Sequence, residues 1–218
     1  MFKMIKFVFA FLLLSSQTVF ADTIAVPSAE ARDWANTKGN ELIDVLSETD
    51  AGVKFAKLDK MMTEDVNLDY IGRFVIGKYA KQMTPEQKQK YLDLFKRYVL
   101  SLYKKTNFNF DAHAVNFTID NVSEFPKYTN ITCSVDPGNL TKDVKIEKIP
   151  VKFKLIRGVD NRIQAVDLEI SNVSMVIEYR KRFYQMILNE QENIDWFLDT
   201  FENKVKANEE AIALKNAL

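Results

Sequence analysis

An α+β fold, with helices flanking a bent four-strand antiparallel sheet, is predicted by three observations. The period is helical from Ser28 to Phe108, it changes to two near His113, and it becomes helical again after Asn172. Such a sheet with helices on one face forms a cone that can enclose a cavity as well as a solid core.

Ahead of the fold, Lys3 and Lys6 precede the apolar run Phe7 to Leu14, and the stretch closes on Val19, Phe20 and Ala21. A positive start, a short apolar run and small residues three and one before the cut are the marks of a cleavable secretory signal. Residues 1–21 are therefore expected to be a signal peptide too short to span a bilayer, with the mature chain starting near Asp22. No cysteine follows the cut to be acylated. Residues 22–218 are expected to fold as one unit, with a helical part at about 28–110, a sheet at about 112–171 and C-terminal helices at about 173–215.

Within the helical part, Ser28 is a candidate cap for a helix running through Trp34 to Leu42, Ile43 and Leu46. A second piece spans Phe55 to Met62 and leads to Asp69–Tyr79. Thr84-Pro85-Glu86-Gln87 is a capping-box start with proline at the first helical position. The long helix that follows collects Tyr91, Leu94, Phe95, Tyr98, Val99 and Leu102 on one face, with Lys88, Asp93, Lys96 and Arg97 mostly on the other.

In the sheet, Val115, Phe117 and Ile119 alternate with Asn116, Thr118 and Asp120, and Ile131, Cys133 and Val135 alternate in the same way. After the turn at Pro137-Gly138-Asn139, the apolar phase of the third strand slips at Lys148-Ile149-Pro150, which predicts a bulge there. Gly158-Val159-Asp160-Asn161 turns into a fourth strand carrying Val166, Leu168 and Ile170. Beyond it, Val176, Tyr179, Phe183 and Ile187 share one helical face, and Ile194, Phe197, Leu198, Phe201 and Val205 share another.

Composition excludes several functions. Lys and Arg balance Asp and Glu at 30 each, or 28 against 30 once Lys3 and Lys6 leave with the signal, and the charges are interspersed. A nucleic-acid binder needs a concentrated basic excess, so no nucleic-acid partner is expected. The single cysteine, Cys133, forms no intramolecular disulfide, and its phase with Ile131 and Val135 makes it a buried apolar residue rather than a catalytic thiol. The single histidine, His113, cannot build a multi-histidine metal site, so no metal is expected. The Asn-x-Ser/Thr triplets at Asn116, Asn121, Asn130, Asn139 and Asn172 are taken as chance, several falling inside strands.

Three stretches carry a resemblance. They are Asp69 to Tyr79 ending in Val75-Ile76-Gly77-Lys78-Tyr79, the Thr84-Pro85-Glu86-Gln87 start, and Val166 to Arg180 with Phe183. In order and spacing they resemble the MlaC, or toluene-tolerance, family over nearly the whole mature chain. Ala80 and Ile163 stand where family members tend to carry tryptophan, and Asn172 where they tend to carry glycine.

The resemblance implies an NTF2-like sheet with added helices and a soluble periplasmic carrier that shuttles phospholipid. Its implied partners are an inner-membrane MCE-type ABC transport complex and an outer-membrane lipoprotein complex of a pathway maintaining lipid asymmetry. It implies no enzyme and no cofactor beyond bound diacyl phospholipid. Two alternatives accompany it: a carrier of a hopanoid or another polycyclic lipid, and an NTF2-like enzyme using His113 with Asp111 or Asp120. For the carrier, the expected apolar lining is Phe117, Val151, Phe153 and Leu155 from strands and Phe95, Tyr98, Val99 and Leu102 from the long helix, with Val173, Met175 and Val176 at the mouth. Tyr179 and Arg180 complete the candidates, Arg180 either meeting a lipid phosphate or, as favoured, pairing with an acid such as Asp69. Lys78, Lys81, Lys181 and Arg182 are candidate docking charges.

Overall fold

The computed structural model describes residues 23–105, 114–136 and 148–216. The expected signal peptide, His113, Asp111 and Asn139 lie outside the described residues. Helices α1 (Ser28–Ser47), α2 (Ala51–Asp65) and α3 (Leu68–Ile76) are followed by a 3-10 segment Gly77–Gln82 and by α4 (Pro85–Lys104). Strands β1 (Asn116–Phe125), β2 (Tyr128–Asp136), β3 (Ile149–Arg157), β4 (Ile163–Ile170) and β5 (Val173–Ser174) come next, then α5 (Met175–Asn189) and α6 (Ile194–Asn216).

Most helix starts follow from short polar side chains. Asp50 accepts from the Val53 N–H, Asn67 from the Tyr70 N–H and Ser174 from the Ile177 N–H, each replacing a helical partner that the first turn lacks. At α4 the capping box is complete: Thr84 Oγ1 accepts from the Gln87 N–H at 3.2 Å, and the Gln87 side chain accepts from the Thr84 N–H at 2.9 Å. We expect Thr84→Ala to lower stability by about 1 kcal/mol, read by urea unfolding, because the Gln87 N–H loses its side-chain acceptor. Ser28 differs from expectation. It is the first helical residue rather than the cap, which falls on Pro27, and its N–H is taken by the Glu124 carboxylate reaching across from β1.

The sheet is an antiparallel meander in the order β1-β2-β3-β4-β5, one short strand more than expected. The extra strand forms because Ser171 and Asn172 both take left-handed backbone, with φ of 50° and 64°, and fold Val173 back onto Ile170. The expected bulge at Lys148-Ile149-Pro150 is not there. Pairing runs unbroken through Val135 with Ile149 and Ser134 with Pro150. The Pro150 carbonyl accepts from the Ser171 N–H, so the same side of the residue, where the missing N–H would point, faces a place where β4 has already turned away. The register shifts instead between Ile119 and Asn121 on β1, and between Lys154 and Leu155 against β4.

The buried side chains sort into two clusters. One is helical and aromatic, joining Tyr79, Tyr91, Phe95, Tyr98, Phe183, Phe197 and Phe201 with aliphatic residues of α3, α4, α5 and α6. The other joins Val26, Ala31 and Ala35 to Ile131, Cys133, Leu155 and Ala165 of the sheet. Every residue expected on the α6 face, from Ile194 to Val205, is buried in the first cluster.

Ion pairs fasten α4 to α6 along their exposed edges. Lys90 meets Asp199 at 3.3 Å and Glu202 at 2.9 Å, and Arg97 meets Glu209 at 2.7 Å. Hydrogen bonds from Lys206 and Lys90 hold the Glu202 carboxyl down at about 2, against an ordinary value of 4.5. A depressed folded-state value contributes stability that is present above 4.5 and lost as pH falls toward 2. We expect Glu202→Gln to flatten the pH dependence of the thermal midpoint in that acid window, by lowering the midpoint above it where the charged carboxylate contributes. An unaltered acid slope would show that this carboxylate is not held in solution.

Candidate functional site: the inner face of the sheet

Register and pleat divide the sheet into a polar face and an apolar one. Cross-strand rows on the apolar face read Phe117–Val135–Ile149, Ile119–Cys133–Val151–Ile170, Val122–Ile131–Phe153–Leu168 and Thr129–Leu155–Ala165. The other face carries Thr118, Ser123, Thr132, Ser134, Lys152 and Lys154. Helix α1 crosses the apolar face, where Trp34 meets Phe153 edge to face at 6.5 Å. Gly39 lets the Phe117 ring lie against the helix, since a Cβ there would be 2.3 Å from the ring.

Burial falls steadily along this face. Leu155 and Ile131 are fully buried under α1, whereas Phe117, Val135, Ile149, Val151 and Leu168 are only half-buried, and Ile170 and Val173 are 39% and 43% exposed. Val99, Leu102 and Tyr179 are half-buried at the edge of the helical cluster. An apolar face covered at one end, where it forms the second cluster with α1, and only half-covered at the other is surface open to an apolar ligand rather than a finished core.

Among the described residues this face carries apolar side chains, one thiol and Thr129. Burial pushes the Cys133 thiol up to about 11, away from a reactive thiolate. Asp120 belongs to the polar side, where it accepts from Ser134 at 2.6 Å and from Thr118 at 3.3 Å. Among the described residues, no three His, Cys, Asp or Glu side chains converge as metal ligands, and no helix is long and apolar enough to cross a membrane. A pocket of about 320 Å³ lies elsewhere, between the start of α3 and the β3–β4 hairpin. Its lining mixes polar and apolar groups, and the pairs Lys96–Asp69 and Arg162–Asp160 neutralise its charges.

The family model described as MlaC protein matches residues 37–203, most of the chain. The chain belongs to the MlaC family. No curated protein matches it in sequence. A solved structure with the same fold is that of the phospholipid-binding protein from Ralstonia solanacearum in complex with a phospholipid. That structure is 13% identical, with a TM-score of 0.66, and the match covers 82% of this chain and 98% of the other.

In this MlaC-family chain the residues expected to line a cavity divide between the two clusters. Phe117, Val151, Phe153 and Leu155 lie together on the inner face of the sheet. Phe95, Tyr98 and Val176 are buried in the helical cluster, with Val99, Leu102 and Tyr179 at its margin. Met175 is half-buried and Val173 exposed at the strand-to-helix junction. Arg180 lies apart and is not paired with Asp69. Asp69 is held by Lys96 at 3.0 Å, while Arg180 stacks on Phe74 and hydrogen-bonds to Tyr184. The aromatic rings of α3 and α5 provide a flat seat for a guanidinium, so the arginine needs no carboxylate to be held.

Residues that share or pack on this apolar face but were not expected there are Trp34, Ile119, Val135, Ile149, Leu168 and Ile170. The five strand residues carry a signal in the sequence, since they alternate in phase with Phe117, Val151 and Phe153. Trp34 carries none, because only the docking of α1 brings it to Phe153.

Proposed function

We propose that this chain is a carrier that moves diacyl phospholipid across the periplasm of a Gram-negative bacterium, delivered there by the signal peptide at residues 1–21. Its stations would be an inner-membrane MCE-type ABC complex and an outer-membrane lipoprotein complex. The observation that carries the proposal is the half-covered apolar face of the sheet, in a chain of the MlaC family whose solved structural neighbour holds a phospholipid.

A carrier must compete with the bilayer. Two acyl chains of about 14 methylenes each, at about 0.8 kcal/mol per methylene, represent on the order of 20 kcal/mol of apolar shelter. The bilayer offers nearly the same, so a groove of half-buried Val, Ile, Leu and Phe side chains approaches balance and permits both loading and release. Burial raises the pKa of both Tyr98, within the helical cluster, and Tyr179, at its margin.

The test is native mass spectrometry of the mature protein purified without detergent, followed by lipid analysis of what is released. A bound mass matching diacyl phospholipid is expected, a polycyclic lipid in its place would move the cargo to the hopanoid class, and a chain that stays empty after incubation with liposomes would refute the carrier. His113→Ala is expected to leave the lipid load unchanged, because the apolar face needs no acid or base.

A further inference from the structure

On the outer side of α5, where it meets α3, Lys78, Arg180 and Tyr184 form a cluster that offers hydrogen-bond donors and no free acceptor. Gly77 ends α3 with a φ of 50°, and a Cβ there would sit 2.3 Å from the Tyr184 oxygen and 2.4 Å from Arg180 Nη2. Only glycine lets the backbone come this close. The Tyr184 oxygen accepts from the Lys78 N–H at 3.1 Å and from Arg180 Nε and Nη2 at 3.3 and 3.1 Å. With its lone pairs so occupied, the phenol keeps one O–H to donate, and among the described residues nothing accepts it.

Both cations are held by rings rather than by acids. The Arg180 guanidinium carbon is 4.7 Å from the Phe74 centroid and 5.4 Å from that of Tyr184, while Lys78 Nζ is 4.7 Å from the Tyr79 centroid and 5.8 Å from that of Tyr184. The nearby acids are engaged elsewhere: Asp69 with Lys96, Glu178 with Lys181, and Glu192 accepting from the Tyr79 hydroxyl. Beside the cluster lie three partly exposed apolar side chains, Phe74 at 37%, Tyr70 at 40% and Ile177 at 41%.

We propose that this cluster is a docking site for a carboxylate carried on an acidic, partly apolar segment of a partner protein. A carboxylate supplies two oxygens to a guanidinium fork and to the adjacent O–H and ammonium, which is what a donor-only site lacks. The apolar flank distinguishes a protein segment from a free anion, because Phe74 and Ile177 seat a neighbouring side chain that an inorganic ion does not have. A bilayer surface fits less well. The apolar groups lie more than half packed against the protein and do not protrude into acyl chains, and the guanidinium is fixed between rings where it meets one oxyanion in one geometry. The basic residues Arg73, Lys81 and Arg182 on the same three elements add attraction for an acidic surface. Burial raises the Tyr184 pKa, yet the Lys78 N–H and the Arg180 guanidinium outweigh it and the net shift is downward, as a surplus of donors requires.

The site makes no demand on the lipid-carrier proposal and can be tested beside it. The Arg180 Nε–Hε resonance of the mature chain is followed by NMR while four probes are added in turn: an acetylated, amidated peptide of alternating Glu and Leu, its Gln–Leu counterpart, inorganic phosphate, and vesicles of palmitoyl-oleoyl phosphatidylglycerol. A saturable shift with the Glu–Leu peptide alone is expected, weakened about tenfold by Tyr184→Phe and by Lys78→Gln, as the loss of one hydrogen bond to a charged group does. Both variants are expected to keep the parent lipid content. No shift with the Glu–Leu peptide, an equal response to its Gln–Leu counterpart or to phosphate, or a response to vesicles only would overturn the assignment. Loss of bound lipid in either variant would place the cluster in cargo binding and overturn it too. A chain that carries no lipid yet binds the peptide would refute the carrier and leave this site standing.

Discussion

Phe183→Ala is expected to remove about 3–5 kcal/mol of stability, the range for deleting a large ring from a closed core. Phe183 is 2% exposed and stands at the centre of the helical cluster. Its ring meets Phe201 at 4.9 Å, Phe95 at 5.8 Å, Tyr91 at 6.0 Å, Tyr98 at 6.1 Å and Phe197 at 6.2 Å, so α5, α4 and α6 all converge on one side chain. All five of these contacts are edge to face, where the ring's positive edge meets a negative face, and each contributes beyond its buried area. The space left by alanine cannot close, because the surrounding rings are rigid and already pack against one another. Since a domain of this kind is stable by about 5–15 kcal/mol, the variant loses a large fraction of its margin. Urea unfolding followed by far-ultraviolet circular dichroism reads the loss, and Val159→Ala, on a side chain 86% exposed, serves as the control with an effect within about 0.5 kcal/mol. A Phe183→Ala midpoint equal to that of the control would mean that the cluster is not packed in solution as described.

That cluster is legible in the sequence because a long helix repeats its apolar positions every three or four residues whatever it packs against. Tyr91, Leu94, Phe95 and Tyr98 on α4, and Phe197, Leu198, Phe201 and Val205 on α6, declare a buried face from spacing alone. What spacing does not say is which buried face lines a cleft and which fills a core. Phe95 and Val151 both satisfy the apolar pattern, yet Phe95 is surrounded by rings while Val151 is half-covered. The difference arises from where α1 stops on the sheet, a tertiary fact with no local period. The sheet carries a second lesson at Pro150. A proline within an apolar phase slip is a sound local sign of a bulge, but the hairpin turn at Ser171 and Asn172 removes the need for an N–H there, and the register passes through unbroken. Arg180 is the third case. Its place on the helix suggests an acidic partner, and only the packing of α3 against α5 reveals the rings that hold it instead.

Val151→Glu is expected to reduce the co-purified lipid at least tenfold while the protein stays folded. Val151 sits between Cys133 and Ile170 in the middle of the apolar face, at the level where cover from α1 gives way to the open end. A carboxylate placed there meets acyl chains when lipid is bound. Leaving a polar group without partners costs several kcal/mol, and an ionised one costs more, against roughly 1.4 kcal/mol for each factor of ten in affinity. In the empty protein the same side chain can turn to water through the open end, so the cost falls on the loaded state and the fold survives. The control uses the alternation of the strand itself. Thr132 neighbours Cys133 on β2 and points to the opposite, polar face, across from Lys152, so Thr132→Glu adds the same charge to the same pair of strands and is expected to keep the parent lipid content. Native mass spectrometry of both variants, with circular dichroism to confirm folding, separates the possibilities. If Val151→Glu retains its lipid as Thr132→Glu does, the acyl chains do not lie on this face; if both lose it, charge on the sheet acts through stability rather than through the cleft. Only loss confined to the inner-face variant ties the cargo to the rows of Val, Ile, Leu and Phe that the register brings together.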